Sequence, residues 1–150
     1  MTNLSEHFTL EELTHTDHRE FDNTPNESEL SNLKRLAAFL EEVKTVLGGK
    51  PVMVNSAFRS KPVNDAVGSK DSSQHRIGCA ADIRVPGMTP DAVCKVIIGS
   101  GLGYDQIIRE FYNPETKAGG WTHISVPNTK DMTPRRQALI IDKAGTRVYS

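Results

Sequence analysis

The sequence contains few cysteines, no long apolar run and no excess of either charge. Its two cysteines, Cys79 and Cys94, are too few for a disulfide framework, and we expect both to be buried thiols. No stretch approaches the ~20 consecutive apolar residues of a membrane span, so we expect no membrane insertion. The formal net charge of −1 over 150 residues provides no basic surface, which argues against nucleic acid as a partner.

The opening residues, Met1 to His7, contain neither a positive region nor an apolar stretch. The sequence therefore predicts synthesis in the cytoplasm without a signal peptide. We find no repeat, low-complexity tract or linker, and the length suits a single domain over residues 1–150. We expect the chain to act as a monomer.

Capping patterns and apolar spacing predict the helices. Thr9 with Glu12, and Asn26 with Glu29, each form a capping box. The second precedes apolar residues at helical spacing from Leu30 to Leu47, which predicts the long core helix. Shorter helices are predicted over 61–67 and from Thr89 to about Gly99. Strands are predicted over 52–58, 80–85, 105–111, 121–126 and 138–141.

Three residues have the side chains and the placement of a metal site. His75 and Asp82 flank a run of small residues, Gly78-Cys79-Ala80-Ala81, and His123 lies in an alternating strand pattern. Alternation places Asp82 and His123 on the strand faces that point away from the core. Two imidazoles and one carboxylate suit a divalent transition metal such as zinc and leave a coordination position open, as a hydrolytic site requires.

These residues carry a family resemblance. Ser73-x-His75, then Gly78 with Ala80 or Ala81, then Asp82, followed by Trp121-x-His123, resemble the zinc-binding signature of the M15 peptidoglycan peptidases. These include D-Ala-D-Ala carboxypeptidases, dipeptidases and phage endolysins. The segment 56–60 with Asn64 resembles the family's upstream segment, which contains a substrate-binding arginine. Residues 8–13 and 22–25 resemble the opening of its short, phage-type members.

The resemblance implies an α+β fold of the hedgehog/DD-peptidase type, in which a small antiparallel sheet carries the zinc site and packs against helices. It implies one Zn²⁺ per chain, held by His75, Asp82 and His123, with Arg59 and Ser73 binding the substrate. The implied substrate is the peptidoglycan stem peptide, cut either at D-Ala-D-Ala or between L-Ala and D-Glu. The short chain resembles phage or prophage lysis enzymes, which reach the wall through a holin or as part of the virion.

One departure from the family pattern concerns the general base. Many members place an acid three positions before the last histidine, where this chain has Gly120. Alternation along 105–111 places Glu110 on the side of its strand that can face the metal, so Glu110 is the predicted base. Asp105 is the competing acid, and Asp65 and Asp71 remain alternatives.

Several residues have simpler interpretations. His75 and Asp82 could be a hydrogen-bonded pair that pins a turn, Ser73 could cap that turn, and Asn64 is expected to stabilise its own loop. His7, His15 and His18 are expected to be surface residues and not ligands. The rival function is a catalytically inactive, zinc-containing wall-binding or phage structural module of the same fold, which the glycine at position 120 favours.

Overall fold

The computed structural model describes residues 2–149. Both predicted capping boxes are present: the side chain of Thr9 accepts from the Glu12 N–H, and that of Asn26 accepts from the Glu29 N–H. The reciprocal bonds from the glutamates satisfy the N-cap amides, so each helix begins where the sequence indicated. The helices are α1 (Leu10–Leu13), α2 (Glu27–Val46), α3 (Lys61–Ala66), a 3₁₀ turn (Gln74–Ile77) and α4 (Pro90–Gly99).

Six strands form one mixed, mostly antiparallel sheet in the order β1-β2-β4-β3-β5-β6. The pair β3 and β5 is parallel and every other neighbouring pair is antiparallel. The strands are β1 (Met53–Ser56), β2 (Ala80–Arg84), β3 (Gln106–Glu110), β4 (Trp121–Ser125), β5 (Gln137–Asp142) and β6 (Gly145–Val148). The fold is therefore α+β, as predicted.

One face of the sheet belongs to the hydrophobic core. Ala81, Ile83, Ile107 and Ile124 are fully buried in a single cluster with the apolar faces of α2 and α4. Because successive side chains of a strand point to opposite faces, Asp82, Ile108 and His123 lie on the other face. That face carries the candidate site.

The buried state of Cys79 and Cys94, both free thiols, agrees with the sequence analysis. Strand β6 was not predicted, and neither was the parallel pairing of β5 with β3. Among residues 2–149, no helix combines the length and the apolar character needed to cross a membrane.

Candidate metal centre

His75 is presented by the 3₁₀ turn, which ends at Gly78 in a left-handed conformation with φ of 83°. A side chain at Gly78 would bring a Cβ atom within 2.9 Å of the Glu29 carbonyl oxygen of α2, so the turn packs tightly on that helix. His75 Nδ1 lies 2.7 Å from the Ala57 carbonyl oxygen. A carbonyl can only accept, so Nδ1 carries the proton and Nε2 presents a lone pair.

The lone pair of His75 has no hydrogen-bond partner, although Nε2 is buried. Nε2 lies 3.3 Å from Asp82 Oδ1, without hydrogen-bond geometry. A buried acceptor without a donor is costly unless something else satisfies it. A metal ion would satisfy it.

Asp82 and His123 are directly paired across β2 and β4, so the sheet register sets their separation. His123 Nδ1 lies 3.1 Å from Asp82 Oδ1, and the rings of His75 and His123 meet edge to face with centroids 5.0 Å apart. One potential ligand atom from each of the three residues lies within 4.8 Å of the others. Among residues 2–149 this is the one such group of three or more, and its donor set suits zinc.

Burial sets the charge of these ligands. Burial lowers the pKa of His75 by more than the neighbouring Asp82 raises it, so the imidazole is held neutral, the form that binds metal. Burial alone would raise the pKa of Asp82, but the hydrogen bond with His123 Nδ1 opposes burial, and the pKa lies below the usual range. The cluster is therefore ready to bind a cation near neutral pH.

Arg59 lies beside the cluster, three residues after the end of β1. Its backbone N–H donates to the His75 carbonyl oxygen at 2.9 Å, which ties the ligand turn to the segment that follows β1. Its guanidinium donates to Ser56 Oγ at 3.2 Å and lies 3.5 Å from Asp82 Oδ2. The side chain is 12% exposed and lines a small cleft.

Glu110 lies on the same face of the sheet as His123, since β3 pairs Ile108 with His123 and Glu110 with Trp121. Burial raises the pKa of Glu110, and the negative charge of Asp82 raises it further. His123, Trp121 and Arg59 lower it, but the net shift is upward. A carboxyl group with a raised pKa, electrostatically coupled to two of the candidate ligands, is suited to proton transfer.

The backbone around Gly120 leaves no space for an acidic side chain at this position. Its φ is +75°, and a Cβ atom at this position would lie 2.4 Å from the Glu110 carbonyl oxygen and 2.6 Å from the Tyr112 N. Both neighbours are backbone atoms, so no side chain fits without moving β3. Glu110, whose pKa responds to the charges of His123 and Asp82, lies on β3.

The alternative acids are engaged elsewhere. Asp105 accepts from Arg135 Nη2 at 2.6 Å and from Gln74 Nε2 at 3.0 Å; burial opposes its ionisation, but these bonds hold its pKa below the usual range. Asp65 and Asp71 are exposed and both contact Lys61 Nζ. The partners of these three acids, Gln74, Arg135 and Lys61, all lie outside the histidine cluster.

The remaining predicted residues have local partners. Ser73 Oγ accepts from the His75 N–H at 3.2 Å, which is the turn-capping role left open by the sequence, and Ser73 also lines a cleft at the centre. Asn64 Nδ2 donates to the carbonyl oxygens of Ser69 and Lys70, so Asn64 stabilises the loop before the metal turn, as expected. His7, His15 and His18 contact acidic residues at the surface.

Two clefts lie near the cluster, one next to Arg59 and the other next to His123. The smaller, about 150 Å³, is lined by Arg59 and Ser56 on the β1 side, together with His15, His18, Val63 and Val67. The larger, about 430 Å³, lies over β4, β3 and β5 and includes His123 in its lining. Arg59, which contacts Asp82, and His123 thus connect the two clefts to the cluster.

A cluster of two histidines and one carboxylate that leaves a coordination position open is typical of metal-dependent hydrolases. Residues 6–109 match the family model described as Peptidase M15, and the chain belongs to this family of metallopeptidases, which typically use zinc. The match covers His75 and Asp82 and ends just before Glu110, so His123 lies outside it. The pairing of β4 with β2 places His123 next to Asp82 in the cluster. No curated protein matched the chain.

Proposed function

We propose that this protein is a zinc peptidase that hydrolyses a peptide bond in the peptidoglycan stem peptide. The observation that carries the proposal is the convergence of His75, Asp82 and His123 in a chain of the Peptidase M15 family, with a buried imidazole nitrogen left without a partner. Zinc held by these residues would supply a Lewis acid for water activation and carbonyl polarisation.

The chain's own residues supply the remaining steps. Glu110 accepts a proton from the attacking water and returns it to the leaving amine, a role for which its raised pKa is suited. Arg59 faces the smaller cleft and binds a substrate carboxylate, as a planar guanidinium does well. The hydroxyl of Ser73, in the wall of the larger cleft, assists in holding the peptide.

The proposal extends to the setting of the reaction. Stem peptides carry free carboxylates, which matches an arginine beside the scissile bond. We propose that the chain acts as a monomeric phage or prophage lysis enzyme, released to the cell wall by a holin or carried on the virion. Cleavage at D-Ala-D-Ala and cleavage between L-Ala and D-Glu are both consistent with this site.

Metal analysis tests the ligand set. Purified protein is expected to bind about one zinc per chain, and His75→Ala, Asp82→Ala and His123→Ala are each expected to lose most of it. His15→Ala, which alters a surface histidine of the smaller cleft, is the matched control and is expected to retain zinc. Wild-type zinc affinity in His123→Ala would show that the third ligand lies elsewhere.

Incubation with peptidoglycan and with defined stem peptides, followed by mass analysis of the fragments, tests the reaction. The expected result is hydrolysis that stops in chelator and returns on addition of zinc. The fragment masses identify the bond. Zinc binding without turnover on any stem peptide would favour the inactive wall-binding or structural module.

A further inference from the structure

The larger cleft beside the candidate centre combines an apolar floor with a cationic rim. Its floor is formed by Ile108 of β3 and by Leu139 and Ile141 of the parallel neighbour β5. One wall is the loop that leads to His75, from Ser69 to Gln74. Asn64, itself fully buried, bonds the carbonyl oxygens of Ser69 and Lys70 and so holds this wall in place.

The charge of the lining is one-sided. Among the described residues that line the cleft are Lys70 and Arg135, with hydroxyl and amide side chains between them, and no aspartate or glutamate. The guanidinium of Arg135 is held in one orientation because its Nε and Nη2 both donate to the buried Asp105. Asp105 offsets part of the Arg135 charge, so Lys70 supplies most of the uncompensated positive charge at the rim.

Gln74 adds a fixed polar group between the cleft and the metal turn. Its Nε2 is surrounded by three oxygen acceptors, on Asp105, Val126 and Asn128, which sets the orientation of the amide. Its Oε1 is buried and has no hydrogen-bond partner, while the residue lines the cleft next to His75. An acceptor left open in this way suits a ligand that also offers N–H groups.

We infer that the larger cleft binds a substrate residue that carries a free carboxylate on an aliphatic stem. The stem packs on Ile108, Leu139 and Ile141, and the carboxylate is placed against Lys70 and Arg135. This inference rests on the proposed peptidase function and deepens it, because it assigns a second carboxylate contact on the side of the centre opposite Arg59. The substrate is then held through its own carboxylates on both sides of the bond that is cut.

The experiment compares two stem peptides that differ in one group: the carboxylate at the end of the aliphatic side chain of the third residue is free in one and amidated in the other. Both are tested for equilibrium binding and for hydrolysis with wild type, Lys70→Gln and Lys70→Glu. Lys50→Gln is the matched control, since Lys50 is exposed and lines neither cleft.

Lys70→Gln is expected to weaken binding and raise KM for the acid peptide by about three- to fivefold, the size of a partly exposed ion pair, with little change for the amide. Lys70→Glu is expected to reverse the preference, and Lys50→Gln to change neither peptide. Equal effects on both peptides, or none on the acid peptide, would overturn the inference. Because binding is measured separately, absence of turnover would count against the proposed function alone.

Discussion

Gly120 occupies a position where the backbone of the neighbouring strand leaves no space, and substituting it should be costly. Gly120 and Gly119 both have left-handed backbones, with φ of +75° and +77°. Any L side chain there costs about 1–2 kcal/mol. At Gly119 an added Cβ would meet its nearest neighbour, the Phe111 carbonyl oxygen, at an ordinary 3.5 Å.

At Gly120 the same atom would lie 2.4 Å from the Glu110 carbonyl oxygen, so residues 110–112 must move. Overpacking of this kind adds typically 1–3 kcal/mol. We therefore expect Gly119→Ala to lose about 1 kcal/mol of unfolding free energy and Gly120→Ala about 3 kcal/mol or more. Urea unfolding in the presence of chelator measures both without a contribution from bound metal.

The same displacement should affect the reaction, because it moves Glu110. Turnover relative to wild type is expected to fall further in Gly120→Ala than in Gly119→Ala, and Gly120→Glu is expected to be unstable instead of supplying a base. Equal losses of stability in the two alanine variants would refute the steric reasoning, since the backbone conformations are alike and only the close contact differs.

Three further predictions concern charged groups. Glu110→Gln is expected to retain zinc and fold while turnover falls by ~10²-fold or more, as measured by steady-state kinetics with zinc analysis; near-normal turnover would remove Glu110 from the mechanism. Arg59→Ala is expected mainly to raise KM and to lose far less zinc than Asp82→Ala; loss of zinc with unchanged KM would contradict a substrate role. Burial opposes ionisation of Asp91, but the hydroxyl of Tyr149 and neighbouring cations outweigh it and lower the pKa to about 2. A lowered carboxyl pKa contributes stability above the unfolded value near 3.9 that is lost as the pH falls towards 2. The loss is at most about 2 kcal/mol, reduced by solvent screening. The melting temperature should therefore fall less steeply between pH 5 and pH 2 in Asp91→Asn than in wild type. Parallel curves for the two proteins would contradict this contribution of Asp91.

Local signals in the sequence identified much of this fold. The capping boxes at Thr9 and Asn26 involve residues three positions apart, and the apolar face of α2 repeats within a single helix. Alternation likewise placed Asp82, His123 and Glu110 on the correct strand faces. These patterns arise from the geometry of one element, so they can be read without knowing its partners.

Features that depend on distant partners could not be predicted in this way. Strand β6 is exposed throughout and lacks alternation, and its position is set by pairing with β5. The parallel pairing of β5 with β3 is a choice among sheet edges that no local pattern encodes. The Gln74–Asp105 bond joins side chains 31 residues apart, and the sequence carries no sign of it apart from the polar residue types themselves.

The hydrogen bonds between the metal turn and the segment after β1 have a consequence for how the site acquires its ion. Two hydrogen bonds, from His75 to Ala57 and from Arg59 to His75, fix the first ligand, and a sheet pair fixes the other two. The conformational entropy of ordering the ligands is thus lost when the chain folds and not when metal binds. The metal-free protein should therefore retain native circular dichroism. Added zinc should raise the melting temperature with its concentration, as simple mass action requires.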